Sequence, residues 1–164
     1  MVGQREPNIP ARIGVLLSGR GSNFQAIHAA IESGAIPNAV ISAVVSNRPE
    51  AGGLAFAQSK GLPTFITAPG GFESREQYDE AIYQILAEAQ VDWLVLAGYD
   101  RILTPVLLNA FPQRIINIHP SLLPAYGGKG MVGLKVHAAV LENAETQSGC
   151  TVHLVTEEVD DGPI

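Results

Sequence analysis

Apolar residues in this chain come in short blocks separated by amphipathic stretches, and the blocks alternate in kind. Residues 13–17 (Ile-Gly-Val-Leu-Leu) read as a strand buried on both faces, and a helical pattern covers about 23–32. Residues 40–45 form a second β-branched run, 54–60 have helical spacing ending at Gly61, a C-cap residue, and 63–66 look like a short strand. Ser74, with Glu76 and Gln77 close behind, predicts the capped start of a long helix. Its Tyr78, Ile82, Ile85, Leu86 and Ala89 recur at helical spacing. Strands at 93–97, 115–118 and 151–155, with helices at 105–110 and 134–142, complete the series.

Strands that are apolar throughout need cover on both faces. Separated by helices, they predict an α/β fold with a doubly wound, mostly parallel sheet and a Rossmann-like N-terminal half. No internal repeat, low-complexity tract or linker divides the chain, so 12–164 is expected to be a single domain behind a flexible leader, 1–11. In such folds ligands sit outside the carboxyl ends of the strands, which is where candidate chemistry should be sought.

Charge and cysteine usage narrow the partners. A formal net charge of -6 argues against nucleic acid and against an anionic membrane, since both call for a basic surface. One cysteine, Cys150, permits no intrachain disulfide and no cysteine-cluster metal site, and reads as a small buried apolar residue at a strand start. The histidines lack the spacing with carboxylates that a zinc site requires, so no metal is expected. His137 and His153 read as structural or solvated, and His28 as a helix-surface residue. With no apolar run of membrane-spanning length and no signal-peptide pattern, the expected compartment is the cytoplasm. Small-molecule substrates and a monomer or homodimer are the expected partners and state.

After the first strand comes Ser18-Gly19-Arg20-Gly21-Ser22-Asn23-Phe24-Gln25. Glycines there let the backbone approach an anion, and the free N–H groups of a following helix favour phosphate. Asn23 could donate to that phosphate or serve as an ordinary cap. The third glycine of the dinucleotide fingerprint is missing, and the second strand ends in Ser46-Asn47-Arg48 with no acidic residue for a ribose. A monophosphate fits better, with a purely structural turn as the alternative.

The sharpest feature is Ile115-Ile116-Asn117-Ile118-His119-Pro120-Ser121-Leu122-Leu123-Pro124. Strand alternation points Asn117 and His119 to one side. An amide donor beside an imidazole suits a reaction that develops charge on a carbonyl oxygen and moves a proton. A histidine satisfied by backbone groups of its own loop is the plainer alternative.

Asn117-Ile118-His119-Pro120-Ser121-Leu122-Leu123-Pro124 resembles the signature of the folate-dependent formyl-transfer family. Ser18–Ala26 resembles the phosphate loop of the branch whose acceptor is phosphoribosylglycinamide. Leu96-Ala97-Gly98-Tyr99-Asp100-Arg101-Ile102-Leu103 is similar to that branch's folate loop, and Val159-Asp160-Asp161-Gly162-Pro163-Ile164 to its Asp-x-Gly-Pro segment. The motifs run in the family's order over nearly the whole chain. The resemblance implies that Asn117, His119 and Asp160 are catalytic and that Gly21, Ser22, Asn23 and Phe24 bind the substrate phosphate. It further implies that Arg75, Asp100, Arg101, Ile102, Leu103 and Asn117 meet the co-substrate, 10-formyltetrahydrofolate. Asp160 is preferred to Asp161 for its place two residues before Gly162. Asp100 departs from the pattern, which often has methionine or another apolar residue there. Tyr126–Met131 is similar to the family's substrate-side loop.

The activity so implied is transfer of a formyl group to the amine of phosphoribosylglycinamide, a step of purine biosynthesis. A hydrolase passing the formyl group to water would share Asn117, His119 and Asp160 without needing a phosphate cradle. A transfer-RNA formyltransferase is disfavoured by the acidic balance. The family pattern also continues past Ile164 with a strand and a C-terminal helix, which the domain is expected to lack.

Overall fold

The first apolar block forms β1 (Ala11–Leu17), whose last five residues are buried. The computed structural model describes residues 9–164. Residues 1–8 of the predicted leader lie outside the described residues, and its last residue, Ala11, already belongs to β1. There follow α1 (Ser22–Glu32), β2 (Ala39–Ser46), α2 (Gly52–Ser59), β3 (Thr64–Ile66), a 3-10 turn at Pro69–Gly71 and α3 (Arg75–Glu88). Then come β4 (Trp93–Leu96), α4 (Pro105–Ala110), β5 (Ile115–His119), α5 (Leu134–Glu142) and β6 (Thr151–Leu154). The punctuation acts as its chemistry requires. Gly61 takes φ 68 and its N–H bonds Gln58, while Leu62 N–H reaches back to Ala57, a Schellman ending for α2. Ser74 Oγ accepts from Gln77 N–H at 3.1 Å, and Gln77 Oε1 accepts from Glu73 N–H at 3.1 Å, closing the start of α3.

One sheet has the order β3-β2-β1-β4-β5-β6. All neighbours run parallel except β6, which pairs antiparallel with β5. This is the doubly wound, mostly parallel α/β fold that the sequence pattern predicts. The chain winds outward from β1 through β2 to β3, then crosses back to β4 and winds the other way. The point where the order reverses therefore lies between β1 and β4, and a crevice opens there at the carboxyl ends of the strands.

Side-chain alternation divides the core into two layers. Leu16, Val45, Leu94 and Leu96 pack with Tyr78, Ile82 and Leu86 of α3 on one face. Val15, Leu17, Val44 and Val95 pack with Phe24 of α1 and with Leu54 and Ala57 of α2 on the other. β2 keeps this division only because its register with β1 slips by one residue between Ile13 and Gly14. Ile13 pairs with Ile41 but Gly14 with Ala43, which leaves Ser42 as the extra residue of a bulge. Ile41 and Val44, three apart, thereby share a layer. Burying this much apolar area at about 25 cal/mol per Å² is the main favourable contribution to folding.

The α3–α4 layer contains one buried carboxylate. Asp79 accepts the Thr104 N–H at 2.6 Å and so caps α4, whose N-cap Thr104 supplies no side-chain bond of its own. Burial pushes the Asp79 carboxyl above its ordinary value near 3.8, with the Thr104 hydrogen bonds and then the Arg75 and Arg101 charges acting the other way. In the window between those two values the native state holds a proton that the unfolded chain has released. Stability therefore falls as pH rises through the window. Asp79→Asn keeps an acceptor for Thr104 and removes the titration. Its stability relative to the parent protein, read from urea unfolding at a series of pH values, is expected to grow as pH rises from about 4 and then level off. A difference independent of pH would refute the assignment.

Candidate active site

Two loops meet at the strand-order reversal. The turn after β1 leads into α1 through Gly21, which sits in the left-handed region at φ 74 and ψ 29 as the helix N-cap. A Cβ on Gly21 would stand 2.8 Å from the α-carbon of Gly53, so both the backbone conformation and the packing of α2 demand glycine. No side chain caps α1, Asn23 included, and no acidic residue occupies its first turn. The N–H groups at that end are open to an anion, with the helix dipole behind them. Arg20, Ser22 and Asn23 line the cleft beside the turn. Phe24 does not. Its side chain is fully buried and packs edge-on against Phe56 at 5.6 Å, so it anchors the helix from beneath.

The loop after β4 forms the opposing wall, and Asp100, Arg101, Ile102 and Leu103 all line the cleft. α3 holds this loop from outside the cleft. Arg75 donates to the carbonyl of Ile102 at 2.6 Å, and the Arg101 guanidinium lies 4.7 Å from the centre of the Tyr78 ring. Arg75 does not itself line the cleft, so its place is behind the loop. The Asp100 carboxylate turns toward the ends of β1 and β2, where Ser18, Asn47 and Arg48 donate to it.

At the end of β5 stands the predicted pair. Asn117 and His119 both line the cleft, His119 almost wholly buried. His119 Nε2 donates to the carbonyl of Tyr126 at 2.8 Å, a residue outside the cleft lining. Its Nδ1 faces Asp160 Oδ2 at 3.4 Å. Asp160 reaches this point from the chain after β6, at φ 58, and its Oδ2 also accepts the N–H of Gly128 at 2.9 Å. Asp161 is exposed. The structure thus brings Asn117, His119 and Asp160 into one cleft of about 680 Å³ that also contains the turn of Gly21, Ser22 and Asn23.

His153 belongs to the same group; of the two expectations for it, structural or solvated, its burial and hydrogen bonds bear out the first. It is directly opposite Asn117 in the β5–β6 pairing and is 4% exposed. His153 Nδ1 contacts the Leu154 carbonyl at 3.0 Å and therefore carries the ring proton, leaving Nε2 to accept the Asn117 amide N–H at 3.1 Å. That bond fixes which end of the Asn117 amide is nitrogen. The Asp160 Oδ1 lies 3.7 Å from the same Nε2. The signal available in sequence was the alternation of β6, which puts His153 on one face with Thr151; the antiparallel register that sets it against Asn117 was not available. His137, on α5, lines the cleft from an exposed position, and His28 is half-buried with its ring edge-on to Phe56 at 5.5 Å. Cys150, expected to be buried, is exposed at the cleft because β6 begins one residue later, at Thr151.

The site thus joins an amide, an imidazole and a carboxylate at the carboxyl end of a doubly wound α/β sheet, opposite an open helix N-terminus. The chain belongs to the formyl transferase family, which residues 11–164 match. It is 41% identical over 154 residues to a chloroplastic phosphoribosylglycinamide formyltransferase of Arabidopsis thaliana, covering 93% of this chain and 52% of the relative. With the phosphoribosylglycinamide formyltransferase of Escherichia coli it shares 42% identity over 150 residues, 92% of this chain and 68% of that protein. The chain thus spans about half the length of the plant relative and about two thirds of the bacterial one. The crystal structure of glycinamide ribonucleotide transformylase 1 from Symbiobacterium toebii superposes with a TM-score of 0.89 at 40% identity, over 100% of this chain and 76% of that one.

The Asp160 segment depends on Gly162. A Cβ there would lie 1.7 Å from the carbonyl oxygen of Leu154, while Leu154 N–H bonds the carbonyl of Pro163 at 2.8 Å. Gly162→Ala must therefore push the segment off β6. The expected outcome is a lowered melting temperature together with a His119–Asp160 separation well beyond 3.4 Å in a crystal structure of the variant. Retention of that contact would show that the segment is held in some other way.

Proposed function

We propose that this chain transfers the formyl group of 10-formyltetrahydrofolate to the primary amine of phosphoribosylglycinamide, a step of purine biosynthesis. The observation that carries the reading is the convergence of Asn117, His119 and Asp160 in the same cleft as an uncapped helix N-terminus. The relatives named above support it.

The residues divide the work as follows. The N–H groups around Gly21, Ser22 and Asn23 hold the acceptor's phosphate, which directs its amine toward the end of β5. Leu96 and the loop of residues 98–103 offer an apolar floor and peptide groups that fit a flat heterocycle. The amine attacks the formyl carbon of the bound folate, and as the tetrahedral adduct collapses the bond from that carbon to the folate nitrogen breaks, the nitrogen taking up the proton that the amine loses and leaving as tetrahydrofolate. Asn117 has one amide N–H on His153 and a second free to donate to the oxygen on which negative charge develops. His119 has an acceptor at each ring nitrogen, Tyr126 at 2.8 Å and Asp160 at 3.4 Å. The longer contact, on the cleft side, is the one that can give way, so Nδ1 is the atom that passes a proton to and from the reacting groups. Tyr126 holds the ring through Nε2 throughout, and Asp160 stands beside Nδ1 to balance the charge that the ring takes up. The reading keeps the cytoplasm as compartment, although the Arabidopsis relative is described as chloroplastic. It also keeps a monomer or homodimer.

The test is absorbance of folate release with and without phosphoribosylglycinamide. Release that depends on the acceptor is expected, whereas equal release without it would identify a hydrolase. Asn117→Ala and His119→Ala are each expected to lower kcat by about 10²–10³-fold, the cost of removing one preorganised donor. Circular dichroism should be unchanged. A His119→Ala variant with undiminished turnover would end the assignment.

A further inference from the structure

Asp100 joins the loops that leave three strands. Its Oδ1 accepts Ser18 Oγ–H at 2.9 Å and the Asn47 amide at 2.8 Å, and its Oδ2 receives the Arg48 guanidinium. Its own N–H donates to Ser18 Oγ at 3.0 Å, so Ser18 and Asp100 are bonded in both directions. Ser18 N–H also donates to the carbonyl of Gly98 at 3.1 Å. Ser18 and Asn47 are buried, whereas the Asp100 side chain that they bond is 32% exposed at the cleft. Ser18 directly precedes the turn of Gly19–Asn23, and Asp100 directly precedes Arg101. A second route runs from Arg48 through Ala51 N–H to α2, where Gly53 N–H holds the carbonyl of Gly19 at 3.0 Å. On its far side the same loop is fixed to α3 by Arg75 and Asp79. A shift of residues 98–104 is thus passed to the anion turn through the Asp100 carboxylate together with the two bonds that the loop backbone makes to Ser18.

We propose that Asp100 is a positioning residue that couples the two halves of the cleft. Filling the anion turn tightens binding at the 98–104 loop, and by linkage the reverse holds to the same factor. The identity of the two ligands rests on the formyl-transfer reading. The contributions of the donors differ in kind. Arg48 is about half exposed, and an ion pair there contributes little. The buried Ser18 and Asn47 donors, each bonded to a charged acceptor, carry the coupling.

Calorimetry on the full chain provides the test. Phosphoribosylglycinamide is titrated alone and again in saturating tetrahydrofolate, which has no formyl group to lose, and the ratio of the two Kd values is the coupling factor. The parent protein is expected to give a ratio of at least about fivefold, the low end for coupled sites. Asp100→Leu should lower the ratio clearly below the parental value, the backbone bonds to Ser18 keeping part of it. Asp100→Asn, whose amide oxygen still accepts from Ser18 and Asn47, should retain most of it, and Arg48→Gln nearly all. If Asp100→Leu fails to fold, Ser18→Ala removes the same bond from the other end and should lower the ratio too. A merely structural role would lower the melting temperature in these variants without moving the ratio. A parent ratio of one, or a parental ratio retained by Asp100→Leu or, failing that, by Ser18→Ala, overturns the proposal alone. A parent protein that binds neither ligand separately overturns the formyl-transfer reading and the coupling with it.

Discussion

The antiparallel pairing of β6 with β5 is the constraint on which the site depends. Every other pairing in the sheet is parallel, so each of those strands delivers only its own carboxyl end to the cleft. Reversing the last strand brings the chain back along β5 and sets His153 against Asn117 and Thr151 against His119, and the segment after Leu154 then turns back to bring Asp160 to the imidazole. Thr151 then secures the loop after His119 through bonds to the Ser121 carbonyl and the Leu123 N–H. A slip of one residue would turn His153 and Thr151 to the other face and leave the Asn117 amide without its partner.

The two walls of the cleft are held by different means. The anion turn is set by steric demand, with Gly21 against Gly53 and the Phe24 ring sunk into the core beneath it. The opposite loop is set by polar bonds, since α3 reaches it with Arg75, Tyr78 and Asp79, all on one side of the helix at i, i+3 and i+4. Tyr78 also bonds the Thr67 carbonyl at 2.9 Å and meets the Tyr99 hydroxyl at 3.2 Å. Burial raises both phenols, Tyr99 the more, so neither ionises near neutrality and the network stays intact there.

What could be read from sequence follows from the range of the physics involved. Element positions rest on local periodicity and caps, and these were legible, down to Gly61 and Ser74. The same holds for Asn117 and His119, which share one strand. Asp160 became a candidate only through the family resemblance, because nothing local says that a carboxylate forty-one residues after His119 returns to it (160 − 119 = 41). The partner of His153 was illegible for the same reason, as the pairing register that sets it against Asn117 is not encoded locally. Phe24 was assigned to the ligand by motif position, yet its side chain serves the core. The slip in β2 was illegible too, because Ser42 is as compatible with a regular strand as with a bulge.

The sheet order has a consequence for how the chain is made. β1 is synthesised first but occupies an interior position, and its two neighbours arrive at different times. β2 follows at once, whereas the other edge of β1 has no strand to pair with until the ribosome has passed Trp93. A nascent chain therefore exposes an unpaired strand edge from the end of β1 until β4 is made, an interval in which chaperone binding or pairing with another chain competes with folding.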